Sequence, residues 1–200
     1  MALVETGTVE GSGWSDTSTH PWRRLIARLF DATFLAALFI GVLVALLSAL
    51  PPSESVKVAI GVLALILIVP PSRAFVSTLL GALLLHWTST TPGKWLCGIR
   101  VVRAEGGRMT YAQAFRREME AYVRGCALFI PLIVIIPLIF GYSRLQEKGL
   151  TTWDERYDLI VLQRPNSLGQ LALVALAFVL LAVALALLAA VMAPAMEGPL

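Results

Sequence analysis

Residues 21–50 read PWRRLIARLFDATFLAALFIGVLVALLSAL. Pro21 suits the first position of a helix, because its missing N–H would be unpaired there anyway. Arg23, Arg24 and Arg28 follow in the opening turns, and Asp31 is the last charge before residues 32–50, a run of 19 without one. About 20 apolar residues cross a hydrocarbon core of about 30 Å. The stretch therefore reads as a membrane helix with a basic entry, ended by Pro51-Pro52.

The rest of the chain agrees. Of 200 residues, 58% are hydrophobic and 14% charged, against about 25% charged in soluble domains. Mean hydropathy is +0.78. So short a chain buries too small a share of its surface to hide that much apolar area in water. A disordered chain, a disulfide scaffold and an ordinary soluble enzyme are excluded. Net charge is +3, but no basic stripe interleaved with aromatics points to nucleic acid. Cys97 and Cys126 lack a CxxC spacing, and with only His20 and His86 beside them no metal site or cofactor is expected.

A second apolar stretch, residues 58–87, is interrupted by Pro70-Pro71-Ser72-Arg73. It is either one kinked helix or a buried entry segment followed by a helix over 74–87. Arg73 is then an intramembrane charge, which normally faces protein or a water-filled cavity. Residues 95–103 read as a strand and Gly106-Gly107 as a turn. Thr110 and Gln113 form a capping box for a helix over 111–124. Its apolar face carries Tyr111, Phe115, Met119 and Tyr122, with Arg116, Arg117, Glu118 and Glu120 elsewhere, so it reads as amphipathic and interfacial. Residues 126–142 contain Pro131 and Pro137 and form either a short fourth span or a re-entrant hairpin. Residues 159–162 are a second strand, and 171–193 a clean apolar run. No internal repeat is visible in the sequence.

The expected architecture is an all-α polytopic membrane protein. It has three full spans plus the short proline-containing segment, a small cytosolic strand pair and the interfacial helix. The units are a polar tail over 1–20, a membrane domain over 21–165, an added transmembrane helix over 166–193 and a tail over 194–200. If 126–142 cross fully, Arg144, Lys148, Arg156 and Arg164 join Lys57 outside. If they re-enter, every Lys and Arg except Lys57 and Arg73 lies inside, as the positive-inside rule favours. The two strands could then pair. Either way the N-terminus is cytoplasmic, as in a multi-pass bacterial inner (plasma) membrane protein.

Arg24, Ala27, Arg28 and Asp31 share one helix face by spacing. Asp31 is either part of a salt bridge that neutralises charge at the bilayer edge, or an ionisable functional site tied to Arg24, to Arg28 or to a distant partner. Thr91-Pro92-Gly93-Lys94 resembles half of a phosphate loop, but Trp95 stands where a Ser or Thr would bind magnesium. It reads as a turn leaving the membrane, with Lys94 at the headgroups. Asp154, in the run Trp153-Asp154-Glu155-Arg156-Tyr157-Asp158, sits in a solvated turn or among carboxylates suited to acid–base or cation chemistry. No HExxH, GxSxG or GxGxxG occurs, so no catalytic residue and no enzymatic activity are expected.

Three of these blocks together resemble the RDD family of bacterial membrane proteins. They are Arg24 through Asp31, the run TPGKWLCGIRVV from Thr91 with Ala114 and Arg117 on the following helix, and Trp153-Asp154. The resemblance implies that Arg24, Asp31 and Asp154 are the family's named Arg and two Asp residues, converging at the cytosolic interface if the hairpin holds. It implies a polytopic inner-membrane protein without an assigned reaction. Two functions follow as expectations. One is a non-enzymatic component that assembles with itself or a membrane partner, supported by small Ala residues along the last span. The other is a cation- or proton-coupled transporter using the Asp–Arg cluster.

Overall fold

The computed structural model describes residues 20–51, 53–105, 107–130, 132–149, 151–165 and 167–196. The expected tails over 1–19 and 197–200, Gly106 of the Gly-Gly turn and Pro131 lie outside them.

Helix α1 spans Pro21–Ser48, with Pro21 opening it as anticipated. Its buried stripe, Ala27, Phe30, Asp31, Ala32, Leu35, Ala36, Ile40 and Val44, follows the helical period. Helix α2, Glu54–Ile68, starts where the Ser53 hydroxyl accepts from the Val56 N–H. It ends at Val69, an extended residue that separates it from α3, Pro70–Thr88. A residue before proline is driven out of the α region, and Val69 precedes two prolines. The two helices meet at 90°, so the second apolar stretch is a bent pair and not a straight span. Pro21–Ser48 and Leu168–Ala193 are long and apolar enough to cross a bilayer; the bent pair supplies a third crossing only if it is one span.

Residues 92–96 overturn one expectation. They form a short helix, α4 (Pro92–Leu96), and the strand β1 begins only at Ile99 and runs to Arg103. Helix α5, Tyr111–Cys126, has the expected capping box between Thr110 and Gln113. A 3-10 turn over Ala127–Phe129 breaks the next apolar segment, and α6 runs over Ile135–Lys148. Then come α7 (Thr152–Arg156), β2 (Leu159–Gln163) and α8 (Leu168–Met196). The strands pair antiparallel, with Val101 opposite Val161.

A conformational repeat underlies this arrangement, although the residues are almost all different. Thr91 and Thr151 each cap a five-residue helix with the side-chain oxygen. A left-handed residue follows each helix, Gly98 and Asp158, and then a five-residue strand. A left-handed residue also precedes each unit, Ser89 and Gly149. Val101 and Val161 occupy equivalent positions and face each other, so a local two-fold passes between them.

The core is layered around these elements. Ala82 and Leu85 of α3 pack with Val101, Met109, Ala114 and Leu159. Ile40 and Val44 of α1 pack with Ile60, Ala64 and Met192. Among the described large residues of α8, only Leu181 and Met192 are buried. Val174, Phe178 and Leu188 pack against the core, while most of its other described apolar side chains face outward, as on a lipid-facing helix.

Candidate functional site

The repeat places Lys94 and Asp154, at equivalent positions and of opposite charge, on either side of α5. Both are buried. Four helices, α1, α4, α5 and α7, and the turns before α4 and α7 contribute to one ionic cluster. Asp31 of α1 accepts from the Thr91 hydroxyl at 2.5 Å and from the Gly93 N–H at 2.7 Å. Lys94 Nζ lies 4.0 Å from Asp31 and 3.1 Å from Glu118. Arg117 binds Glu118 through Nη1 and grips Asp154 Oδ1 through Nε at 2.9 Å and Nη2 at 2.7 Å. Asp154 Oδ2 accepts from the Thr151 hydroxyl at 2.6 Å and lies 3.5 Å from Arg24 Nη1. Charges alternate along the whole chain of contacts, from Asp31 through Lys94, Glu118, Arg117 and Asp154 to Arg24.

Close packing makes these distances attainable. A Cβ on Gly93 would stand 2.3 Å from the Ala27 carbonyl oxygen, so only glycine lets α4 press its N–H groups onto α1. A Cβ on Gly125 would stand 2.7 Å from the Trp153 ring. That ring in turn carries the Arg28 guanidinium at 4.8 Å from its centre, a cation–π contact.

The protonation states follow from burial and neighbours. Burial alone would raise the Glu118 pKa, but Lys94 and Arg117 outweigh it and hold the carboxyl at about 2. Burial opposes ionisation of Asp154 too, and Arg117, Arg24 and the Thr151 hydroxyl hold it below the ordinary value. Arg117 loses by burial and gains more from Asp154 and Glu118, so its charge is secured. Beside the cluster, burial pushes the Tyr122 phenol up, and its oxygen lies 3.0 Å from the Ser77 hydroxyl.

Several expectations change. Of the partners left open for Asp31, it takes the distant ones, from α4 and the turn before it, and not Arg24 or Arg28. Helical spacing put the arginines on its face, but they reach toward α7. Lys94 is not at the headgroups, and Asp154 is not solvated, since both are sealed in the cluster. Arg24 and Asp154 meet directly, whereas Asp31 joins them through Lys94, Glu118 and Arg117. Arg73 is only half-buried and its side chain has no partner among the described residues. Pro92 opens α4.

Arg117 and Glu118 were placed off the packed face of α5, yet they are its buried centre, while Tyr111 is exposed. Ala114, Ala121 and Gly125 share that face. Small residues flanking a charged pair at helical spacing were the signal that would have found it. Cys97 and Cys126 are both free and buried. Among the described residues no group of His, Cys, Asp and Glu is arranged to hold a metal.

Apolar spanning helices joined to a buried, alternating charge cluster define a helical membrane protein. The sequence model of the RDD family matches residues 19–156, and the chain belongs to that family. The match takes in Arg24, Asp31, the Thr91–Lys94 turn and Asp154, and stops before β2 and α8. Comparisons with curated proteins and with solved structures returned no match.

Proposed function

We propose that this RDD-family protein is a non-enzymatic membrane component that assembles with a second copy or a membrane partner. In this reading the ionic cluster is a clasp that fixes the β1–β2 cap to the first span. The saturation of the three carboxylates supports it. Asp31, Glu118 and Asp154 each hold at least two partners. The void among Arg24, Lys94, Arg117 and Asp154 is only about 20 Å³, about one water. A hydrated cation has no place there.

The strand pairing supports a topology as well. Paired strands lie on one side of a bilayer, so the chain between them crosses an even number of times. Residues 126–142 then re-enter instead of spanning. The N-terminus and the cap are cytoplasmic in an inner membrane, since this puts every Lys and Arg except Lys57 and Arg73 on that side.

Vesicle flux separates the clasp from the transporter. Purified protein in proteoliposomes is expected to carry no Na⁺, K⁺ or H⁺ flux above empty vesicles. Asp31→Asn should lower thermal stability without a transport phenotype. Flux that Asp31→Asn abolishes while the protein stays folded would overturn the clasp in favour of a cation- or proton-coupled transporter.

A further inference from the structure

An open groove of about 360 Å³ runs between the start of α1 and α6. Trp22, Leu25, Leu138 and Ile139 line it, together with Arg24, Arg28 and Trp153. Three observations mark an anion that the protein itself does not supply. Arg24 Nε and Trp153 Nε1 are buried donors without an acceptor among the described residues; the Arg24 side chain is 10% exposed and Trp153 5%. Such donors are costly unless something binds them. Arg28 has no ion-pair partner among the described residues and rests on the Trp153 ring. Finally, the cations Arg24, Arg28, Lys94 and Arg117 outnumber the carboxylates Asp31, Glu118 and Asp154 by one.

We infer that the groove binds one anionic phospholipid. Its phosphodiester takes the Arg24, Arg28 and Trp153 donors, and an acyl chain lies along Leu25, Leu138 and Ile139. A monoanion balances the cluster's surplus charge. The walls choose a lipid over a free anion. They are apolar, and they continue into Ile135, Ile136, Ile139 and Phe140 of α6, all more than half exposed. A small anion would leave that surface unfilled, whereas an acyl chain covers it. The inference does not depend on the clasp reading, because either function leaves the same donors open.

Native mass spectrometry of the full chain in detergent tests it, with dioleoyl-phosphatidylglycerol, dioleoyl-phosphatidylcholine and sodium phosphate as probes. One phosphatidylglycerol per chain is expected, retained over phosphatidylcholine by about tenfold or more, the scale of losing one buried charge contact. Arg28→Gln should erase that preference and Arg28→Lys should keep most of it. Leu138→Trp fills the groove without touching a charge and should lower retention of the lipid, with thermal stability recorded for each variant. Equal retention of the two lipids overturns the inference. So does a folded Arg28→Gln or Leu138→Trp variant that binds like the parent. Displacement of the lipid by millimolar phosphate would make the ligand a free anion and also overturn it.

Discussion

Replacing Asp154 by Asn keeps the shape of the side chain and removes its charge. Arg117 then loses the carboxylate that it grips at 2.9 and 2.7 Å, and Arg24 loses its partner at 3.5 Å. Asp154 is 1% exposed, so water cannot substitute. Removing one member of a buried ion pair costs about 3–5 kcal/mol, because the partner stays behind uncompensated. The upper half of that range applies, since two guanidiniums are affected. For a chain of this size each kcal/mol shifts the midpoint by about 2–4 °C. Asp154→Asn is therefore expected to lower Tm by about 8–20 °C, measured by differential scanning fluorimetry in detergent. Asp158→Asn is the control. Asp158 is exposed and left-handed at φ 49°, a conformation Asn tolerates well, so its Tm should hardly move. A shift below about 2 °C for Asp154→Asn, within the range of ordinary surface substitutions, would refute the buried-pair reasoning.

Four further outcomes are expected. Glu118 and Asp154 have depressed carboxyl pKa values, so their stabilisation is fully present above the unfolded value and lost as pH falls; Tm should drop as pH goes from 4.5 toward 2. Gly93→Ala puts a methyl against the Ala27 carbonyl at 2.3 Å and should cost about 1–3 kcal/mol, read as a lower Tm that Gly93→Ser shares. Cys97 and Cys126 are buried, and burial lifts the Cys97 thiol to about 11, so neither should react with Ellman's reagent at pH 8 until the protein unfolds. Arg100 faces Leu162 across the strand pair, with Cβ atoms about 4.5–5.5 Å apart, so cysteines there should be joined by a short bifunctional thiol reagent; failure would remove the same-side topology.

Much of the secondary structure is legible in the chain because its signals are local. Pro21, the Thr110–Gln113 capping box and the Pro70-Pro71 break act through their own turns of backbone, and each appears where expected. The second strand was legible as the short apolar run Leu159-Ile160-Val161-Leu162, and placing both strands on one side allowed them to pair. The short helices α4 and α7 were not legible. Each is a single five-residue helix fixed by a threonine cap and a left-handed exit, too short to show a period. The repeat they form is carried by backbone conformation and cap geometry, and sequence comparison sees little beyond two threonines and two valines.

The charges divide along the same line. Composition and hydropathy alone made this a membrane protein, because apolar area and charge scarcity are sums over the chain that no packing can alter. The three motif blocks, taken together, likewise marked Arg24, Asp31 and Asp154. Which charge meets which was decided only by tertiary structure. Asp31 lies on the same helix face as Arg24 and Arg28, yet it bonds to Thr91 and Gly93, about sixty positions away in the chain. Coulomb attraction and hydrogen bonding depend on separation in space and on exclusion of water. Both are set when Gly93 lets α4 touch α1 and when α5 buries Arg117 and Glu118 between the two halves of the repeat.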